Sequence, residues 1–136
     1  MWKYYYQDIG IRNATLSFRQ SDDGHVMENV VYNELRARGF SVDVSNVIVR
    51  PQGEPRQTLE VDFVANKGGQ RYYVQSAYQM LSDEKMIQEK RPLLHINDSF
   101  KKILLTVDHQ NVRHDENGIV TMGLMHFLSN KNSLEA

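Results

Sequence analysis

The fold of this chain is decided by TLEVDFV at residues 58–64 and YYVQSAY at residues 72–78. Both stretches are rich in branched and aromatic residues, which favours strands. In a regular strand the first would place Glu60 and Asp62 on one face. The opposite face would then carry four apolar residues: Leu59, Val61, Phe63 and Ala65. The connection at residues 66–70, which contains Gly68-Gly69, predicts a hairpin between the two strands.

The hairpin follows a helix and a strand region. Turn residues at 21–24 and a glycine at position 39 predict a helix from His25 to Arg38. Residues 40–44 and 46–49 alternate in different phases, which predicts strands separated by a bulge near Ser45-Asn46. A second helix is expected from Ser82 towards Arg91, where Pro92 should disturb it. Residues 102–107 are apolar enough for a buried strand.

The remaining signals are short. Beyond the fourth core strand we expect a strand at 118–122 and a helical turn at 125–128. Before the core we expect a strand near 3–7 and a helix near 11–18. The chain is therefore predicted to be one domain over residues 1–136, with an N-terminal segment at 1–20, a core at 21–107 and a C-terminal extension at 108–136.

Composition limits what the domain does. The 136 residues contain no cysteine and no apolar run that would span a bilayer, so we expect a cytoplasmic protein without a membrane partner. The net charge of -1 argues against a strong nonspecific nucleic-acid binder, because such affinity comes from an extended basic surface. Any DNA contact must be local, and the candidate cations are Lys67, Arg71, Lys90-Arg91 and Lys101-Lys102. These cations could instead form a surface that keeps the protein in solution, and the sequence favours that interpretation over DNA contact.

The order helix, three strands, helix, strand resembles the core of the PD-(D/E)xK restriction-endonuclease-like superfamily, an α/β fold with a central mixed sheet flanked by helices. In that family carboxylates from a helix and two strands converge on Mg²⁺, and a Lys supports the nucleophile. The resemblance makes Glu28 the helix acid and Asp62 the strand acid. Gln75 stands at the second acid position and Ala77 at the Lys position. The matching site is therefore vestigial, with Glu28, Asp62 and Gln75 as its candidates and with Glu28 and Asp62 as candidate metal ligands. Glu34 is an alternative to Glu28 as the inward-facing acid of the helix, and the carbonyl oxygen of Gln75 would be a weak ligand.

A narrower resemblance covers nearly the whole chain. The sequence is similar to a C-terminal domain of unknown function that follows the P-loop module in bacterial AAA-family ATPases. The similarity lies in KYYYQDIGIRNA (3–14), GHVMENVVYNELR (24–36), EVDFV (60–64), YVQSAY (73–78), RPLL (91–94) and the tail at 127–134. It implies an N-terminal ATPase module elsewhere in a longer protein, because this chain has no P-loop.

Three functions remain open at this point. The domain is expected to be a catalytically degenerate module that binds DNA or a partner for the ATPase. The alternatives are an active Mg²⁺-dependent nuclease and a structural or oligomerisation domain. No cofactor is required by the first or third interpretation, and Mg²⁺ is the one ion that the second would need. A cation that replaces the missing Lys could come from Lys67, Arg71 or Lys85.

Overall fold

A computed structural model describes residues 20–49, 53, 55–78, 82–107 and 112–135. The strand expected near 3–7 and the helix expected near 11–18 lie outside the described residues. The described chain forms a mixed α/β structure with a six-stranded sheet and three α-helices. This arrangement confirms the α/β class and the order of the core elements.

The helices and strands follow one another along the described chain. The helices are α1 (Gln20–Ala37), α2 (Asp83–Leu94) and α3 (Leu124–Ser129), and a 3-10 turn spans Ser133–Glu135. The strands are β1 (Ser41–Val49), β2 (Gln57–Lys67), β3 (Gln70–Ala77), β4 (Lys101–Thr106), β5 (Arg113–His114) and β6 (Ile119–Gly123).

The sheet has the strand order β1-β2-β3-β4-β6-β5. The first three strands form an antiparallel meander, whereas β3, β4 and β6 run parallel to one another. A parallel pair needs a crossover connection, and α2 supplies it between β3 and β4. The predicted strand at 118–122 and the helical turn at 125–128 are confirmed as β6 and α3.

Two core clusters cover the two faces of the sheet. On one face Met27, Val31 and Leu35 of α1 pack with Phe63, Val74 and other strand residues, and Phe127 and Leu134 join them from the C-terminal part. On the other face Leu93 of α2 packs with six strand residues: Val61, Val64, Tyr73, Ala77, Leu104 and Ile119. The α1 face and the α2 face are therefore distinct environments for any polar group on the central strands.

The predicted alternation along β2 is wrong at its centre. Val61 packs on the α2 face and Phe63 on the α1 face, although two residues apart in a regular strand share a face. The cause is a shift in the β1–β2 register between Asp43 and Ser45, which leaves one extra residue in β2. An irregularity near Ser45 is therefore confirmed, but its extra residue lies in β2, opposite Val44, and β1 continues through Ser45 and Asn46 as one strand.

The predicted helix boundaries need smaller corrections. Helix α1 begins before His25 and ends at Ala37, and Gly39 follows it with a φ of 93°. The cap of α2 is confirmed, because the Ser82 side chain accepts a hydrogen bond from the Lys85 amide. Pro92 does not end α2, which continues to Leu94. A proline this close to the C-terminal end removes one helical hydrogen bond, whereas one in mid-helix would also kink the segments on both sides.

Among the described residues, no helix is both long enough and apolar enough to cross a bilayer.

Candidate functional site

The neighbouring strands β2 and β3 separate at the bulge. Their ladder runs from the Lys67–Gln70 pair to the Phe63–Val74 pair, where the described pairing ends. Because one extra residue in β2 bends that strand, side chains take over the bonding beyond this point. We call the resulting arrangement of Asp62, Gln75, Ser76 and Glu89 the β2–β3 fork.

Asp62 joins the two strands at the fork through its side chain. Its Oδ2 accepts a hydrogen bond of 3.0 Å from the Ser76 amide and another of 3.0 Å from the Ser76 hydroxyl. Ser76 alternates with Tyr73 and Ala77, which pack on the α2 face, so its hydroxyl points to the α1 face. The Asp62 carboxylate therefore meets β3 on the side covered by α1.

The Gln75 side chain lies on the opposite side of the sheet, which is covered by α2. It is only 8% exposed, and its Oε1 accepts a 3.0 Å hydrogen bond from the Asp62 amide. Its Nε2 donates to Glu89 Oε2 at 3.5 Å, and Glu89 belongs to α2. The side-chain amide thus replaces a missing ladder bond with its oxygen and holds a carboxylate with its nitrogen. Both ends of the Gln75 amide are engaged within the protein.

Glu89 is a residue of the fork whose pKa is shifted. Burial raises the pKa of Glu89 above its ordinary value, and the nearby negative charge of Asp62 raises it further. The hydrogen bond from Gln75 acts in the other direction, because it favours the ionised carboxylate. The carboxyl is therefore held closer to neutral than an exposed glutamate.

Glu28 lies on α1, the helix that covers the same face as the Asp62 carboxylate. Its side chain is 20% exposed, and Oε2 lies 3.7 Å from Nδ1 of His25 one turn earlier. The two predicted metal ligands, Glu28 and Asp62, thus belong to the α1 side of the sheet. Gln75, the third candidate, projects to the α2 side and contacts Asp62 through the backbone amide of that residue.

The position of the missing cation is apolar. Ala77 is 5% exposed and packs in the core on the α2 face. Two suggested substitutes, Lys67 and Arg71, lie at the hairpin end of β2 and β3, where Lys67 pairs with Gln70 and Asn66 with Arg71. Lys85 is exposed on α2, one helical turn before Glu89. All three lie on elements that contribute residues to the fork, but only Lys85 lies within one helical turn of one of those residues, Glu89.

Some donors of the fork are already engaged by the protein and would have to be shared with a magnesium ion of the nuclease type. Mg²⁺ demands a near-octahedral set of oxygen ligands, of which one or two are usually carboxylates beside water and phosphate. In the part of the chain that the structure describes, no group of three or more His, Cys, Asp or Glu side chains is arranged to hold an ion. The Asp62 oxygen that binds Ser76 and the oxygen of Gln75 already accept protein hydrogen bonds. Metal binding by Glu28 and Asp62 stays a prediction.

Sequence reasoning missed Ser76 and Glu89. Ser76 gave no signal, because its role depends on the bulge that brings Asp62 to its amide. Glu89 could have been found from helix spacing, since Met86 and Leu93 lie seven residues apart on the buried side of α2. A residue three positions after Met86 and four before Leu93 lies on that same stripe. An acid at such a position predicts a partly buried carboxyl that needs a partner.

Comparison with known proteins shows which family this chain belongs to. Residues 23–127 match the family described as Domain of unknown function (DUF4143), and the chain is a member of it. The chain is also 35% identical over 104 residues to an uncharacterized protein of Haemophilus influenzae. That match covers 76% of this chain and 23% of the relative, so the chain spans about a quarter of the relative's length. The expectation of a domain of unknown function is confirmed, and the matched region contains all four residues of the fork.

Proposed function

We propose that this domain is a nuclease-like module that has lost its catalytic centre and binds DNA for an ATPase in the same longer protein. The observation that carries the proposal is the fork, where Asp62 and Gln75 occupy motif positions of a nuclease but bind the protein itself. The remaining support comes from the order of elements, from the length of the relative and from the distribution of cations.

The order of elements supports a restriction-endonuclease-like core. Helix α1 precedes the β1–β2–β3 meander, α2 crosses over, and β4 pairs parallel with β3. The proposal takes Glu28 on the first helix, and Asp62 beside the end of the described β2–β3 pairing, as the acids of this core. Fold alone does not supply an activity, so the proposal depends on the residues at that point.

Those residues support binding without hydrolysis. Hydrolysis of a phosphodiester needs carboxylates that converge on Mg²⁺ and a cation near the developing charge. The amide of Gln75 binds the Asp62 amide and Glu89, and Ala77 lies in the core. A neutral amide on the α2 face and a buried methyl group replace the second acid and the Lys.

The attached ATPase is supported by length. The relative matches this chain over only 23% of its own sequence, which leaves room for a further domain in that protein. In this proposal residues 1–136 form one domain in the C-terminal part of such a protein. An ATPase that acts on DNA would work in the cytoplasm. The absence of cysteine is compatible with that location, because cytosolic proteins rarely depend on disulfides.

DNA binding is favoured over a purely structural role by the grouping of basic residues. Lys67 and Arg71 flank the hairpin turn, and Lys101 and Lys102 of β4 pair with the two residues of β3 that follow Arg71. Cations that are far apart in sequence thus lie at one end of the sheet. A local basic surface is what the net charge of -1 still allows.

The test combines binding, cleavage and metal titration. We expect the full chain to bind fluorescein-labelled DNA in about 50 mM salt with EDTA present, because phosphate contacts need no metal. We expect no cleavage with Mg²⁺ or Mn²⁺ and equal, negligible heats of Mg²⁺ binding to the wild type and Asp62→Ala. The matched control for Asp62→Ala is Asp43→Ala, an exposed acid on β1.

Each alternative has its own result. Cleavage that disappears in Asp62→Ala but not in Asp43→Ala would establish an active nuclease and overturn the proposal. Failure of the wild type to bind DNA even at low salt would leave a structural or oligomerisation domain, and sedimentation of the full chain would then reveal the assembly.

A further inference from the structure

A groove lies at the hairpin end of the sheet, away from the fork. It has a volume of about 690 Å³ and is bounded by the end of α1, the β2–β3 hairpin and the C-terminal segment after α3. A second cavity of about 320 Å³ shares Gln70, Tyr72, Leu134 and Glu135 with it. We call the two together the hairpin-end groove. Both lie beside the turn of the β2–β3 hairpin and are lined in part by the same residues.

Basic residues outnumber acidic ones in its lining. The cations come from the residue after α1, from β2, β3 and β4 and from the C-terminal segment, and they are Arg38, Lys67, Arg71, Lys101 and Lys131. The acids in the lining are Glu34 and Glu135. Several parts of the chain thus contribute positive charge to this groove, although the whole chain is slightly acidic.

Three of these cations make no ion pair within the part of the chain that the structure describes. Lys67 Nζ donates to the carbonyl oxygen of Arg38 at 2.8 Å, which is a neutral partner. Arg71 donates to Asn66 Oδ1 and to the Tyr73 hydroxyl, which are neutral, and the charges of Asp98 and Asp43 also act on its guanidinium. Lys131 is exposed. The described lining thus carries more cations than acids, and one of its two acids, Glu34, is held by Arg38 at 3.5 Å.

An aromatic ring stands beside these charges. Phe100 lines the smaller cavity, is 40% exposed, and has the Arg71 guanidinium 5.8 Å from its ring centroid. An exposed ring next to a basic groove is the combination by which proteins hold single-stranded nucleic acid, with stacking for a base and cations for the backbone. Duplex DNA hides its base faces and cannot use the ring.

We propose that the hairpin-end groove binds single-stranded DNA, with Lys67, Arg71 and Lys131 on the phosphates and Phe100 stacked on a base. This assignment rests on the proposed DNA-binding function and adds the surface and the form of DNA. It also separates binding from the fork, where the carboxylates of Asp62 and Glu89 would repel phosphates. A nuclease would instead draw the scissile strand to those acids.

The experiment is a comparison of charge-reversal variants by fluorescence anisotropy with a labelled single strand of about 16 nucleotides. The groove variant is Lys67→Glu/Arg71→Glu/Lys131→Glu. Its matched control, Arg56→Glu/Lys85→Glu/Arg113→Glu, changes three exposed cations outside the groove by the same total charge. A milder variant, Lys67→Gln/Arg71→Gln/Lys131→Gln, removes the charges without reversing them and serves if the charge-reversal variant fails to fold. Circular dichroism checks the folding of each variant.

The loss of DNA affinity is expected to differ among the variants. The groove variant should lose about tenfold or more in affinity for the single strand. The slope of log K against log salt should become shallower by about 2, because three phosphate contacts are lost and each contributes about 0.7. The Gln set should lose less, and the control should stay close to the wild type. Phe100→Ala should weaken single-strand binding about fivefold or more and leave duplex binding unchanged.

Several outcomes would overturn the assignment. If the wild type binds DNA and the groove and control variants weaken equally, the function stands but the surface is wrong. If the wild type does not bind, both proposals fail together. If polyglutamate of equal charge displaces the labelled strand as well as unlabelled DNA does, the groove accepts an acidic protein segment and not a nucleic acid.

Discussion

A single carboxyl group, that of Glu89, gives the fork its own dependence on pH. Its pKa is raised in the folded protein by burial and by Asp62, so the folded state favours the protonated form more than the unfolded chain does. An acid with a raised pKa destabilises the fold once it ionises. This loss of stability is absent below pH 4.5, which is the ordinary pKa of a glutamate. It grows as the pH rises through the raised pKa of Glu89.

The effect of replacing Glu89 by glutamine should therefore depend on pH across this window. The substituted side chain keeps an oxygen for the Gln75 amide but carries no charge, so we expect Glu89→Gln to be more stable than the wild type at neutral pH. Below about pH 4.5, where the wild-type carboxyl is itself neutral, the two proteins should be equally stable. Urea unfolding of both proteins at a series of pH values measures the difference. A difference that widened as the pH fell would contradict the assigned direction of the shift.

Sequence could identify some residues of the fork and not the contacts between them. Asp62 and Gln75 were predicted because strand patterns and a family motif mark their positions. The contact between Asp62 and Ser76 depends on one extra residue in β2, and the alternation of residues 59–65 appears regular in the sequence. Which face a side chain occupies is decided by that register, and the register is a property of two strands together.

At the scale of elements, the β2–β3 hairpin connects the fork to the groove. The turn has two central residues, Gly68 with a φ of 60° and Gly69, between the paired Lys67 and Gln70. A positive φ at the first central position is the pattern of a type II′ turn, which suits the twist of the two strands. Only Gly68 needs the conformational freedom of glycine.

The two glycines should therefore respond differently to the same change. A Cβ at either position would meet no atom within 4 Å, so only backbone strain distinguishes them. Gly68→Ala should destabilise the protein by about 1 kcal/mol, because alanine is unfavourable at positive φ. Gly69→Ala should change stability by no more than about 0.5 kcal/mol. Chemical unfolding of the two variants provides the measurement, and equal losses would show that the turn is of another type.

The elements themselves were largely predictable, and the exceptions have physical causes. Both long helices carry caps or apolar stripes that act locally, and α2 begins at the predicted cap. The strand β5 was missed because a pair of residues, Arg113 and His114, shows no periodicity. The continuation of α2 through Pro92 was missed because Pro92 is itself buried, and tertiary packing outweighs the local signal there.

At the scale of the whole molecule, Arg38 connects the first helix with the last segment of the described chain. Its side chain is 9% exposed and donates to the carbonyl oxygens of Phe127 and Asn130 and to the Ser133 hydroxyl. The guanidinium also lies 4.5 Å from the centroid of the Phe127 ring. A planar cation with several donors can satisfy three acceptors at once, which an ammonium group cannot do in the same geometry. Arg38 thus helps to hold the segment that closes the hairpin-end groove, beside the burial of Phe127 and Leu134 in the core.

Loss of Arg38 should release that segment and weaken the whole fold. We expect Arg38→Ala to cost about 3 kcal/mol, because hydrogen bonds to charged groups are stronger than neutral ones and several acceptors lose their donor. Arg38→Lys should cost about half as much, and Arg36→Ala, an exposed neighbour, no more than about 0.5 kcal/mol. Urea unfolding gives the stabilities, and limited proteolysis near Lys131 reports the release. If Arg38→Ala lost stability while Lys131 stayed protected, the segment would be held by the burial of Phe127 and Leu134 in the core and not by the guanidinium.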